Sequence, residues 1–95
     1  MNADTQESGI AAAIVERLET QRLPRALDLK AEVDQGEVLD DMDIGFLERV
    51  LNDANALRPL ISRHPEYQPL AARMIDLYHD IISRALENET PSKTS

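Results

Sequence analysis

Apolar residues recur at helical spacing in three stretches of the chain, and proline and glycine fall between those stretches. Ile10, Ile14 and Leu18 form one line, with Ala11 and Val15 beside it. Ala26, Leu29 and Val33 form the next, with Leu27 adjacent. Further on, Ile44, Leu47, Leu51 and Ala54 run beside Phe46, Val50 and Leu57. Leu70, Met74, Leu77, Tyr78, Ile81, Ile82 and Ala85 make a third broad face. No segment alternates apolar and polar residues for long enough to predict a strand. The pattern predicts an all-α chain, a small antiparallel bundle of three to four helices.

The punctuation sets the boundaries. Pro24 cannot donate a backbone hydrogen bond and clashes with the preceding turn, so the helix over 10–35 must break or kink near residues 22–24. Gly36 is placed to close that segment in a left-handed cap. Asp40 has the chemistry of an N-cap, and Asp41 and Asp43 suit the positive end of a helix dipole. Pro59 is expected to end or kink the helix that follows, because residue 58 before it is biased away from helical angles. Pro65 fits a first helical turn and Pro69 still lies in the tolerated region. A helical hairpin of about 41–57 and 66–86 is therefore the expected framework, with 10–35 packed over it. Its shared core is predicted at Leu47, Leu51, Met74, Leu77 and Ile81. Residues 1–9 read as a mobile N-terminal segment, although Asp4 and Glu7 have capping-box spacing. Residues 10–89 read as one helical domain, and 90–95 as a disordered tail.

Ninety-five residues are enough for one domain with a small core. With three aromatic residues, Phe46, Tyr67 and Tyr78, that core must be aliphatic. The absence of cysteine excludes disulfides, zinc-thiolate sites and thiol nucleophiles. The first eight residues hold two acids and no base, unlike a secretory signal, and the longest apolar run is six residues, Ile10 to Val15. A cytoplasmic location without membrane association is expected.

The formal charge of −8 is uneven. Residues 37–58 hold Glu37, Asp40, Asp41, Asp43, Glu48 and Asp53 against two arginines. Such a surface is repelled by nucleic acid, so direct nucleic-acid binding is not expected, and a basic protein partner is favoured. Arg17, Arg22, Arg25 and Lys30 form a band that is expected to make ion pairs, with docking onto the acidic 37–53 segment of another copy as the minority reading.

Candidate chemistry is thin. Asp76, His79 and Ser83 share a helix face, but catalytic triads draw on separate elements, so a solvated stripe is expected. Asp76 with His79 supplies one half of a bundle metal site and lacks the rest. Asp41, Asp43 and Gly45 miss calcium-loop spacing, with Gly45 at position five and Asn52 at twelve. His64 reads as a loop or capping residue. No enzyme activity and no cofactor or metal are expected. The candidate partner-binding residues are Asp40, Asp41, Asp43, Tyr67 and Tyr78. The function expected is a protein–protein interaction or regulatory module. The broad face of the last helix, with 71–78–82–85 beside 70–74–77–81, points to a homodimer. A nucleic-acid-related role, such as DNA mimicry or an accessory factor, and an accessory subunit of an enzyme are the alternatives.

Overall fold

The computed structural model describes residues 3–89 and consists of helices joined by short turns. We label them α1 (Ala3–Arg17), α2 (Leu23–Asp34), α3 (Asp41–Leu57) and α4 (Gln68–Glu89). A five-residue π-turn, Leu18–Arg22, joins α1 to α2 without a break. The result is a three-helix bundle in which the bent α1–α2 rod and α4 run one way and α3 runs the other. α3 and α4 pack as the expected hairpin, and α2 lies along α4.

The π-turn resolves the tension at Pro24. Its closing bond runs from the Leu23 N–H to the Leu18 carbonyl, five residues back rather than four. Widening the turn there makes room for the pyrrolidine ring, and the rod bends instead of ending. The sequence spacing asks for the same turn. Ala26, Leu29 and Val33 repeat the spacing of Ala11, Ile14 and Leu18 fifteen residues on, one more than two heptads. One extra residue in the π-turn absorbs that offset, and all six side chains are buried.

At the end of α2, Gly36 has φ of 101°. Its N–H donates to Val33 O, and the Glu37 N–H donates to Glu32 O, which is the paired bonding of a Schellman cap. Asn88 of α4 secures the same corner, donating from Nδ2 to Val33 O at 2.8 Å and to Glu37 O at 2.7 Å. Gly36→Ala is expected to cost about 1–2 kcal/mol, because an L side chain is strained at positive φ. Thermal unfolding would show this as a lowered midpoint; an unchanged midpoint would mean that the cap relaxes freely.

The start of α3 is a reciprocal capping box. The Asp43 N–H donates to Asp40 Oδ1 at 2.8 Å, and the Asp40 N–H donates to Asp43 Oδ2 at 3.2 Å. Asp43 also receives Arg25 Nη2 at 3.4 Å. Asp40→Ala is expected to cost about 0.5–2 kcal/mol. Asp43→Ala should match it, since Asp43 serves both the box and Arg25, while Asp41→Ala should cost about 0.3–1 kcal/mol. Urea denaturation of the three variants checks this order.

The α-helix ends at Leu57, just before Pro59, as expected, but the angles of the residue that precedes the proline differ from expectation. Arg58, which precedes Pro59, keeps helical angles of −53° and −47°. The chain continues as a 3₁₀ turn, Arg58–Leu60, which returns Leu60 and Ile61 to the core. A second 3₁₀ turn, Pro65–Tyr67, leads directly into α4. Residues 3–9, set apart in the sequence as a lead-in, belong to α1. The predicted tail, 90–95, lies outside the described residues.

The core is aliphatic around one aromatic ring. Phe46, Leu47, Val50, Ala54 and Leu57 of α3 meet Met74, Leu77 and Ile81 of α4, with Leu18, Leu29 and Val33 closing the third side. Leu51 is the exception among the predicted core positions. It is only half-buried, while Val50, Ala54 and Leu57 occupy the centre. The buried arc of α3 is set by the bent rod as well as by α4, which rotates Leu51 and Ile44 out to the flank. Leu27 and Ile10 also face outward, 40% and 57% exposed.

Candidate interaction surfaces

The basic band of α1–α2 meets acids of its own chain. Arg17 donates from Nε and Nη2 to both oxygens of Asp53, at 3.0 and 2.8 Å. Arg22 adds Nε to Asp53 Oδ2 at 3.1 Å. Asp53 therefore bridges two arginines, one on either side of the π-turn. Burial works to raise the Asp53 pKa, but the hydrogen bonds and charges of Arg17 and Arg22 outweigh it and hold the carboxyl below its ordinary range. The Asp53 hydrogen bond and charge in turn raise Arg17 against a small opposing desolvation. Next along, the Arg25 guanidinium lies 4.7 Å from the Phe46 ring centroid and reaches Asp43. Lys30 pairs with Asp34 within α2 at 2.9 Å. The expected ion pairs thus form within one chain.

The five candidate partner-binding residues do not form one site. Asp40 and Asp43 are engaged in the capping box, and Asp41 is exposed in the first turn of α3. Tyr67 lies beyond the other end of α3, whose 17 residues span about 26 Å. It is half-buried and stacks on His64 with centroids 6.0 Å apart. Tyr78 is half-buried on α4, edge-on to His79 at 5.4 Å. Both tyrosines pack against the core, as expected for residues at its edge.

His64 sits at the N-cap position of the second 3₁₀ turn, makes no side-chain capping bond, and approaches α1. Its Nε2 is 3.4 Å from Glu7 Oε1, and Glu7 Oε2 accepts from Arg63 Nη1 at 2.8 Å. This contact clips α1 to the α3–α4 connection; in the sequence Glu7 stood out only for its capping-box spacing from Asp4, not as a partner of Arg63 or His64. Asn88 escaped notice: its partners are main-chain carbonyls 55 and 51 residues away, which no local spacing announces. Asp76, His79 and Ser83 are all exposed on α4. Among the described residues no group of three or more His, Asp or Glu side chains is arranged to hold a metal, and no helix is long and apolar enough to cross a membrane.

Apolar surface is also present: Val38, Met42 and Leu86 are exposed singly, and a part-exposed stripe runs along the α3–α4 seam. α3 turns Asp43, Phe46 and Asp53 toward the α1–α2 rod. α4 turns Asp80, Ser83, Arg84 and Glu87 toward Lys30 and Asp34. The opposite flanks of these two helices face each other across their seam. On α3 that flank carries Ile44, 42% exposed, and Leu51 one heptad on. On α4 it carries Ile75 and Ile82, again a heptad apart and half-buried. The i, i+7 spacing of Ile75 and Ile82 is the sequence signal for this stripe. Two grooves elsewhere are polar. One is lined by Gln21, Arg25, Asp28, Glu32 and Asp43, the other by Lys30, Asp34, Asp80, Ser83 and Arg84.

No protein-family model, curated protein or solved structure matches this chain.

Proposed function

We propose that this chain is a non-enzymatic protein-binding module whose docking face is the α3–α4 seam. The observation that carries the reading is the apolar stripe of Ile44, Leu51, Ile75 and Ile82, left part-exposed along the seam of two packed helices. Apolar area of this kind stabilises a complex by about 25 cal/mol for each Å² removed from water. Contiguous apolar surface on a small domain marks interaction sites.

The test is the mass at which the chain travels in native cell extract. The 10.7 kDa chain is expected to elute well above its own mass. The variant Ile44→Ser/Ile82→Ser is expected to return to the monomer position with unchanged helical circular dichroism. Elution of both forms as monomers would overturn the reading.

A second copy of the chain is the other occupant to consider. Its support is the width of the α4 face, on which Tyr78 and Ile82 remain half-buried while Ala71 and Ala85 are covered. Light scattering on the purified protein separates the two. A monomer mass at high micromolar concentration assigns the seam to a different protein, and a doubled mass assigns it to self-association.

A further inference from the structure

We propose that α1 is a hinged arm, opening as one unit about the π-turn while α2, α3 and α4 stay packed. This motion is independent of the α3–α4 seam. The apolar hold on α1 is slight. Among residues 6–17 only Ala11 and Ile14 are buried, with Val15 half-buried. The shorter α2 buries Ala26, Leu29 and Val33 and is tied to α4 by Asn88. α1 instead packs chiefly on α3. Its other fastenings are polar: Arg17 with Asp53 beside the bend, and Arg63 and His64 with Glu7 near the far end. The two arginine side chains are 40% and 62% exposed, and ion pairs in contact with water hold little.

The helix is also weak in itself. Gly9 sits in its middle, where glycine disfavours the helix about fivefold relative to alanine. A Cβ at that position would meet nothing within 4 Å, so no close packing calls for glycine there. A lone helix of 15 residues is marginal in water, and this one depends on its tertiary contacts. The hinge is already in the backbone. The Leu23 N–H reaches back to the Leu18 carbonyl in place of the regular α-helical bond, and Pro24 has no N–H to supply the next one. Few buried apolar contacts on one side of an interrupted bond ladder mark a unit that opens below the free energy of global unfolding. Opening uncovers the face of α3 on which α1 rests and leaves the core of α2, α3 and α4 closed.

The test is native-state hydrogen exchange of the full chain, followed residue by residue by NMR at low urea. Amides of residues 11–17 are expected to share one opening free energy. It should lie below that of residues 28–34 in α2 and 74–85 in α4, with the step at the π-turn. Gly9→Ala should slow exchange across 11–17 about fivefold. Ile81 is fully buried in the part of α4 whose neighbours Asp80 and Arg84 lie beside Lys30 and Asp34 of α2. Ile81→Val should therefore hasten exchange across 74–85 severalfold and leave 11–17 unchanged. Exchange across 11–17 hastened by Ile81→Val as much as across 74–85 would mean that α1 opens only with the whole bundle, and would overturn the proposal. So would a graded rise in protection from residue 11 through the bend without a step, an absence of protection across 11–17, or no effect of Gly9→Ala there.

Discussion

Phe46→Ala is expected to cost about 3–5 kcal/mol of folding stability, the largest loss of any single truncation considered for this chain. Phe46 is 2% exposed at the centre of the core and is the only phenylalanine in the sequence. Its removal leaves a cavity between helices that are pinned by caps and cannot collapse inward. The ring also supports the Arg25 guanidinium 4.7 Å above it, so the truncation loosens the neighbouring Arg25–Asp43 contact too. At about 0.05–0.15 kcal/mol per residue, a chain of this length holds about 5–14 kcal/mol in total. The variant should therefore be partly unfolded at the lower end of that range. Phe46→Leu retains most of the apolar volume and should cost clearly less. Urea denaturation measures both, and a loss below about 1 kcal/mol for Phe46→Ala would remove the ring from the centre of the fold.

Asp53→Ala is expected to cost about 2–3 kcal/mol, less than the about 3–5 kcal/mol typical of breaking a fully buried pair. The Asp53 side chain is 13% exposed and Arg22 17%, but Arg17 is 40% exposed and its share is discounted for solvent screening. Arg22→Ala should accordingly cost more than Arg17→Ala. The pH dependence has a definite sign. The two arginines hold the folded-state pKa of Asp53 below its unfolded value of about 3.9. Between those two values the unfolded chain binds more protons, so stability rises with pH there. The contribution is complete above about pH 4 and is lost as pH falls through the folded pKa. Asp53→Asn should flatten this part of the acid limb of the stability curve. An acid limb unchanged by Asp53→Asn would show that the bridge carries no net stabilisation.

Asp53 also shows where sequence reading stops. It was visible only as one acid in a net-acidic stretch; local spacing offers it Arg49 at i−4, whereas its bonds run to Arg17 and Arg22, 36 and 31 residues away. The bridge exists because the rod bends at the π-turn and lays both arginines against the same turn of α3. Leu51 makes the complementary point. Its line with Ile44, Leu47 and Ala54 is a sound helical stripe, yet the stripe is wider than the buried arc. Helical periodicity gives a face to within roughly one residue on either side. Which edge of that face is buried depends on where the third helix sits.

The sequence by itself determined the helical class and the punctuation at Pro24, Gly36 and Asp40 with its chemistry. These are local matters. A proline's missing N–H, a glycine's access to positive φ and a carboxylate two or three residues from exposed amides act within one turn of chain, and Pro24, Gly36 and Asp40 each acted as their chemistry required. The tertiary structure decided the rest: a bend rather than a break at Pro24, the burial of Val50 in place of Leu51, the Asp53 bridge, the Asn88 clamp and the apolar seam. Each of these depends on which flanks of three helices meet. That choice follows from the combined packing of side chains far apart in sequence, a property of the assembled bundle that no window of local pattern contains.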